Sequence, residues 1–341
     1  MPDHFFQLDR NERREALEFA REQTGRPAHL LEKDAWVVWT LRALFESPLA
    51  ADITFKGGTS LSKAYRIIDR FSEDIDLTCD IRKLIPDLVG DNGEQPANRS
   101  QAGKWTRTVR RRLPEWIAVN VQPLLEAALA QEGLEASVEP GGADNDKLLL
   151  RYPALSRGTG YIAPVVTLEF GGRATGEPHQ RLAVVCDMDG HVPGLVFPTA
   201  LPQVMSLART FWEKATAAHV YCAQGRLRGE RYARHWHDLA AIARSPHFAA
   251  VLRDRGVADL VARHKSQFFI EKDSAGAVID YAAAARGGLR IVPQGACRAA
   301  LEEDYAAMLA DAVMTGDALA FEQLMRACAD IEDRLNRTSP Q

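Results

Sequence analysis

Lys56-Gly57-Gly58-Thr59-Ser60-Leu61-Ser62-Lys63, followed one helix length later by Ser72-Glu73-Asp74-Ile75-Asp76-Leu77-Thr78, decides how this chain is read. Ile53-Thr54-Phe55, just ahead, is a short β-like run. After the glycines, Leu61, Ala64, Tyr65 and Ile68 recur at i, i+3, i+4 and i+7, the spacing of one helix face. Residues 72–78 then alternate polar and apolar, the pattern of a half-buried strand. The order is strand, glycine turn, helix, strand. Adjacent glycines at such a turn let the backbone approach a ligand closely. The helix that follows offers free N–H groups and the positive end of its dipole to a phosphate. Lys56 and Lys63 add positive charge, and Thr59, Ser60 and Ser62 add hydroxyls. Asp74 and Asp76 are two apart on the strand, so both carboxylates leave the same face. Two carboxylates held side by side repel unless a cation lies between them, and Mg²⁺ takes such a pair together with substrate phosphates. Either half alone is explained by a plain turn or a solvated strand edge. Together, one helix apart, they describe a nucleoside-triphosphate site.

Working outward, residues 10–48 read as helical, with 34–41 apolar on most faces. Residues 90–103 have loop composition, and a long helix is predicted over 104–132. Strands are predicted at 136–139, 147–152, 165–170 and 182–186, separated by Gly, Pro and Asp clusters. From Pro202 onward the pattern is helical, over 202–222, 228–244, 247–264, 296–314 and 317–336. The expected architecture is therefore α+β: a mixed β-sheet flanked by helices in residues 1–200, then an all-helical domain in 201–341.

Composition narrows the class. Forty-six per cent hydrophobic and 26% charged residues exclude collagen-like, coiled-coil and wholly disordered chains, and 341 residues suit about two domains. No apolar run approaches the roughly 18 residues of a membrane helix, so no membrane partner is expected. Met1-Pro2-Asp3-His4-Phe5-Phe6 lacks the pattern of a signal peptide. The 5 cysteines form no C-x-x-C pair, which argues against a disulfide framework or zinc site and points to the cytoplasm. A net charge of −4 is not the footprint of a nucleic-acid binder. The basic run from Lys104 to Arg112, with Trp105 inside it, is either a solvated helix face or a contact to RNA phosphates. His235 and His237, at i and i+2 on a helix, point to different sides and do not share an ion. Lys147, opening a strand, is a further candidate phosphate contact.

Residues 57–63 and Arg70-Phe71-Ser72-Glu73-Asp74-Ile75-Asp76-Leu77 resemble the signature of the AbiEii/AbiGii toxin nucleotidyltransferases. That family, to which the MenT toxins are related, lies within the polymerase-β-like nucleotidyltransferase superfamily. The resemblance runs from Glu32-Lys33-Asp34 to about Leu239 and is most specific at residues 55–77. It implies a nucleotidyltransferase core and Mg²⁺-dependent (or Mn²⁺-dependent) transfer of a nucleotidyl group from an NTP. The acceptor it implies is RNA such as tRNA, or a protein hydroxyl. It further implies that the chain is the toxin of a toxin–antitoxin or phage-defence pair with a cognate antitoxin. Lys56, Gly57, Gly58, Thr59, Ser60 and Ser72 would then bind the nucleotide, and Asp74 and Asp76 the metal. The superfamily's third carboxylate falls on Glu169 in Val165–Phe170, where many members have Asp. Lys214, in Phe211-Trp212-Glu213-Lys214, would contact triphosphate, and Asp238, in Arg234-His235-Trp236-His237-Asp238, would support the site; relatives often have Asp where this chain has His235. A bland reading competes at each: an exposed strand Glu, a solvated helix Lys, and an i, i+4 pair of Asp238 with Arg234. The alternative for the whole chain is a catalytically weak RNA- or protein-binding module on the same fold.

Overall fold

The computed structural model describes residues 3–90, 95–156, 163–227, 229–310 and 318–337. The sequence readings that touch Met1-Pro2, 91–94, 228, 311–314 and 317 lie outside them. The chain divides into two compact units. The first comprises Met1–Ala64, Ser72–Glu94 and Trp105–Val204; the second comprises Tyr65–Phe71, Gln95–Lys104 and Met205–Gln341. The change from mixed to helical structure thus falls near residue 204, and two short segments of the N-terminal half join the helical unit.

The first unit begins with α1 (Arg10–Thr24) and α2 (Ala28–Phe45), where the sequence predicted one helical stretch. The division has local causes. Asp9 caps α1 by accepting from the Asn11 and Glu12 N–H groups, and the Glu12 side chain answers at the Asp9 N–H, a capping box. Gly25, at φ +71°, then ends α1 in the left-handed region, and Pro27 precedes α2. Nearly every residue of α2 is buried, as its apolar sequence requires.

β1 (Ile53–Lys56) runs into α3 (Gly57–Lys63), and β2 (Ile75–Asp80) follows. The predicted long helix is α4 (Arg99–Trp116) and α5 (Gln122–Gln131), joined by a wider π-helical turn at Ile117–Val121 between Pro114 and Pro123. β3 (Ser137–Gly141), β4 (Lys147–Arg151), β5 (Val165–Ala174), β6 (His179–Arg181) and β7 (Gln203–Met205) complete a seven-stranded sheet in the order β3-β4-β5-β2-β1-β7-β6. β2 pairs antiparallel with β1 and parallel with β5, so the sheet is mixed. β5 alternates half-buried and buried side chains along its whole length. Val166, Leu168 and Phe170 face the core, and Thr167 and Glu169 face the other side. Only Val184–Val185 of the predicted strand 182–186 is extended in register with a partner.

In the second unit α6 (Leu207–Gln224), α7 (Ala233–Arg244), α8 (Phe248–Arg253), α9 (Arg255–Phe268), α10 (Gly295–Ala310) and α11 (Phe321–Arg337) surround a core that includes Phe211, Trp212, Trp236, Phe248 and Tyr305. In α11, Leu324, Cys328, Ile331 and Leu335 are buried at i, i+4, i+7 and i+11. None of the five cysteines forms a disulfide. Among the described residues, no helix is long and apolar enough to cross a membrane.

Candidate functional site

Strand register places four charged side chains in one row across the first unit's sheet. Lys56 of β1 pairs with Asp76 of β2, Asp76 with Glu169 of β5, and Glu169 with Lys147 of β4. Paired residues project from the same face, so two inner carboxylates are flanked by two lysines. The opposite face is apolar, with Ile75, Leu77, Leu168 and Leu148 buried. Asp74 lies one residue ahead of β2 and is half-buried, like Asp76. Glu169 is turned onto Lys147, with which it forms an ion pair. That bond is the main cause of a raised Lys147 pKa. The Lys56 ammonium reaches along the same face over Gly171; a Cβ there would lie 3.7 Å from its Nζ.

The glycine turn touches this row directly. Gly57 has φ +78°, and a Cβ built on it would lie 1.9 Å from Oδ2 of Asp76. The Asp76 carboxylate therefore rests on the bare Cα of the turn. Gly57→Ala would strain the backbone and drive the new methyl into that carboxylate. We expect it to lower transfer activity at least tenfold, on the order of the cost of a 1 Å misplacement. Cell-free transfer assays against wild type check this, and unchanged activity would contradict the contact.

The hydroxyls predicted to hold phosphate are used inside the protein. Thr59, fully buried, donates to the Asp74 carbonyl at 2.5 Å and shares a hydrogen bond with the Ser72 hydroxyl at 2.9 Å. Ser60, also fully buried, donates to the Gly57 carbonyl at 2.8 Å. The Thr59 bonds tie the two halves of the motif together, and the Ser60 bond braces the turn itself. Lys63 differs from expectation as well. Its ammonium is buried and contacts Asp34 at 2.5 Å and Asp187 at 2.7 Å, so its charge is spent in the interior. Burial alone would lower the Lys63 pKa, but the two carboxylates outweigh it and raise it.

Sequence reasoning gave no role to Glu32, Lys33 or Asp34, each no more than 3% exposed. Lys33 binds Glu73, the neighbour of Asp74, at 2.5 Å, and Asp34 accepts the Asp187 N–H at 2.6 Å. Burial raises the Asp34 carboxyl, and Asp187 adds to this while Lys63 opposes it. Three charges at consecutive positions in a largely apolar helix were the available signal.

Lys214 and Asp238 belong to the second unit, with Arg70. Asp238 is fully buried and accepts from Arg70 Nε at 2.9 Å and Nη2 at 2.8 Å, a two-pronged pair. Lys214 Nζ lies 2.9 Å from the same carboxylate, and His237 Nδ1 3.2 Å. Burial alone would raise the Asp238 carboxyl, but Arg70 and Lys214 hold it well below the usual carboxylate range. Arg70 is thus a partner the sequence reading left without a role.

Burial, with the Lys214 charge beside it, pushes His235 down to about 3, and burial with Arg290 pushes His219 down to about 4. Both are neutral in the folded protein near pH 7. In the unfolded chain they protonate near the usual value of about 6.5. Their folded-state pKa values being lower, stability is intact above about 6.5 and falls on acidification, by at most about 1.4 kcal/mol per pH unit for each. Urea titrations of wild type and His235→Phe between pH 7 and 5 are expected to show the shallower pH slope in the variant. Equal slopes would contradict the burial of a neutral ring.

The carboxylates of Asp74, Asp76 and Glu169 are hard oxygen donors of the kind Mg²⁺ and Mn²⁺ prefer, so the residues fit such an ion chemically. Among the described residues, no three His, Cys, Asp or Glu side chains already stand close enough together to hold one, and Glu169 faces Lys147.

Comparison with curated proteins returns no match. Among solved structures the chain resembles MenT4, a nucleotidyltransferase toxin from Mycobacterium tuberculosis H37Rv. The two are 20% identical, with a TM-score of 0.42, over 98% of this chain and 100% of that one. The family described as "Nucleotidyl transferase AbiEii toxin, Type IV TA system" matches residues 39–327. With most of its length matched, the chain belongs to the AbiEii nucleotidyltransferase toxins.

Proposed function

We propose that the protein transfers a nucleotidyl group from an NTP to a hydroxyl of an acceptor RNA such as tRNA, in the presence of Mg²⁺. We further propose that it acts in the cytoplasm as the toxin partner of a cognate antitoxin protein. The observation that carries this reading is the Asp76 carboxylate resting on the bare Cα of Gly57, which joins the carboxylate row to the glycine turn. In this reading the backbone at Gly57 and Gly58 lies along the triphosphate, with Lys56 and Ser72 beside it. Thr59 and Ser60 shape the turn through their internal bonds. Asp74 and Asp76 would hold the metal, whose charge, when bound, would stabilise the attacking and leaving oxygens of an in-line displacement. Glu169, exchanging Lys147 for the site, would take the acceptor's proton, or would be the third ligand with that proton passing to water. The acceptor oxygen bonds to the α-phosphorus and pyrophosphate leaves. Lys214 acts with Asp238 and Arg70 in the second unit to hold that segment of chain in place for activity.

The direct test incubates the protein with Mg²⁺ and each α-labelled NTP, once with total RNA and once with protein extract. Label in RNA from at least one NTP is expected. Label in protein alone would replace the acceptor, and no transfer with any NTP would overturn the reading.

Support for RNA comes from α4, where Arg107, Arg110 and Arg111 are exposed and no acid occurs between Arg99 and Pro114. A protein that neutralises phosphates loses affinity steeply with salt. Replacing the three arginines by Gln is expected to weaken RNA binding about tenfold. It should also reduce the slope of log affinity against log salt by about 2, with the KM for NTP unchanged. An unchanged slope would remove α4 from the acceptor surface.

A further inference from the structure

We infer that Glu32, Lys33 and Asp34 are positioning residues that fix the phosphate turn and the metal-binding segment against one another, an inference that rests on the nucleotidyl-transfer reading above. Successive residues of a helix point about 100° apart, so these three face different directions from a single turn of α2. All are buried, at 2%, 3% and 2% exposed. An ionised group in such a place costs several kcal/mol unless it is well paired, and each is paired to a different segment. Glu32 accepts from the Leu155 N–H at 2.9 Å and the Ser156 N–H at 3.2 Å. Lys33 donates to Glu73 at 2.5 Å and to the Ala163 carbonyl at 3.2 Å. Asp34 pairs with Lys63 at 2.5 Å and accepts the Asp187 N–H at 2.6 Å. Arg26 pairs with the same Asp187.

Lys33 and Asp34 hold segments the proposed chemistry uses, and Glu32 ties the neighbouring Leu155–Ser156 stretch to the same turn of α2. Lys63 closes the helix that Gly57 opens, and Glu73 immediately precedes Asp74. Ala163 leads into β5, which carries Glu169. Thr59, bonded to the Asp74 carbonyl and to Ser72, closes the frame from within. α2 is a suitable reference because it is buried on nearly all sides. Apolar side chains of similar size would fill the same volume with less desolvation cost. What the charges add is direction: each bond fixes where one loop passes the helix. A displacement of about 1 Å in such a frame is enough to cost on the order of a hundredfold in rate.

Lys33 offers the sharpest test, through Lys33→Met, Lys33→Arg, Glu73→Gln and the Lys33→Met/Glu73→Gln double variant. Hydrogen exchange on the protein alone, followed by mass spectrometry, is expected to run at least tenfold faster at residues 73–77 in Lys33→Met, on the order of one lost hydrogen bond, with the α2 amides unchanged. Its kcat for transfer should fall roughly tenfold or more while the KM for NTP stays within about twofold. Lys33→Arg should recover most of the loss. Since Lys33 acts through Glu73, the double variant should be no worse than Lys33→Met. Should Lys33→Met fail to fold, Glu73→Gln carries the test, because that side chain is 23% exposed. Wild-type exchange at 73–77, or a kcat loss that only follows the folded fraction, would overturn the inference. If wild-type protein transfers no label with any NTP, the proposed function falls instead, and the exchange measurement still decides whether Lys33 orders the segment.

Discussion

Asp76→Asn is expected to reduce nucleotidyl transfer by roughly a thousandfold, equivalent to about 4 kcal/mol of transition-state stabilisation, without unfolding the protein. The substitution keeps the side chain's shape. Position 76 would still pair with Lys56 on one side and Glu169 on the other, and the side chain would still fit over the bare Gly57 Cα. What is lost is one negative charge in the middle of the row. With Asp74 left as the remaining aspartate of the pair, the metal and the triphosphate it carries lose their shared anchor. The change in stability should stay within about 1 kcal/mol, as for a substitution that leaves packing intact. Parallel melting curves and label-transfer assays separate the two effects. Retention of more than a tenth of wild-type activity would show that Asp76 is not the metal ligand. A collapse in melting temperature would show that its charge serves the fold instead.

The strands of this site were legible in the sequence, whereas the helix predicted from Leu61, Ala64, Tyr65 and Ile68 ends at Lys63, so Tyr65 and Ile68 lie beyond it. Alternation at 72–78 and a β-like run at 165–170 between turn-forming clusters predicted two strands; Ile75–Asp80 and Val165–Ala174 are in the sheet, next to each other and parallel. Because their register follows from which residues face the core, Asp76 and Glu169 become neighbours. What periodicity does not carry is where a polar side chain spends its bonds. Thr59, Ser60 and Lys63 read as phosphate donors because their type suits the task, yet each bonds inward. Glu32-Lys33-Asp34 read as the edge of a resemblance, because consecutive charges on a helix ordinarily meet water. Their partners are remote in sequence: Glu73 lies 40 residues from Lys33, and Asp187 lies 153 from Asp34. The change to a helical pattern beyond Pro202 was visible in the sequence. The transfer of 65–71 and 95–104 to the helical unit was not, since those segments differ in their contacts rather than in their residue types.

Asp238→Ala is expected to destabilise the helical unit by about 3–5 kcal/mol, the cost of breaking a buried ion pair from one side. Arg70 and Lys214 would remain, with side chains only 4% and 12% exposed, without the carboxylate they share. Asp238→Asn keeps an acceptor oxygen for Arg70 and should cost less, about 1.5–3 kcal/mol, the range for a hydrogen bond to a charged group. The sign with pH follows from the depressed carboxyl. Its contribution is fully present above the unfolded value of about 3.9 and is lost only as the pH falls below that toward the folded value. The gap between wild type and Asp238→Asn should therefore be constant from pH 5 upward and close in stronger acid. Urea unfolding of both variants at several pH values reads this directly, and a gap that opened with acid would place the charge on another group. The same proteins decide what Asp238 does for transfer. Because its carboxylate is enclosed by Arg70, Lys214 and His237, its effect on rate should follow the order of the Arg70 segment. Restoring the folded fraction of Asp238→Asn at low temperature should then restore most of its activity. A fully folded Asp238→Asn that remains inactive would mean that the carboxylate acts on the substrate itself.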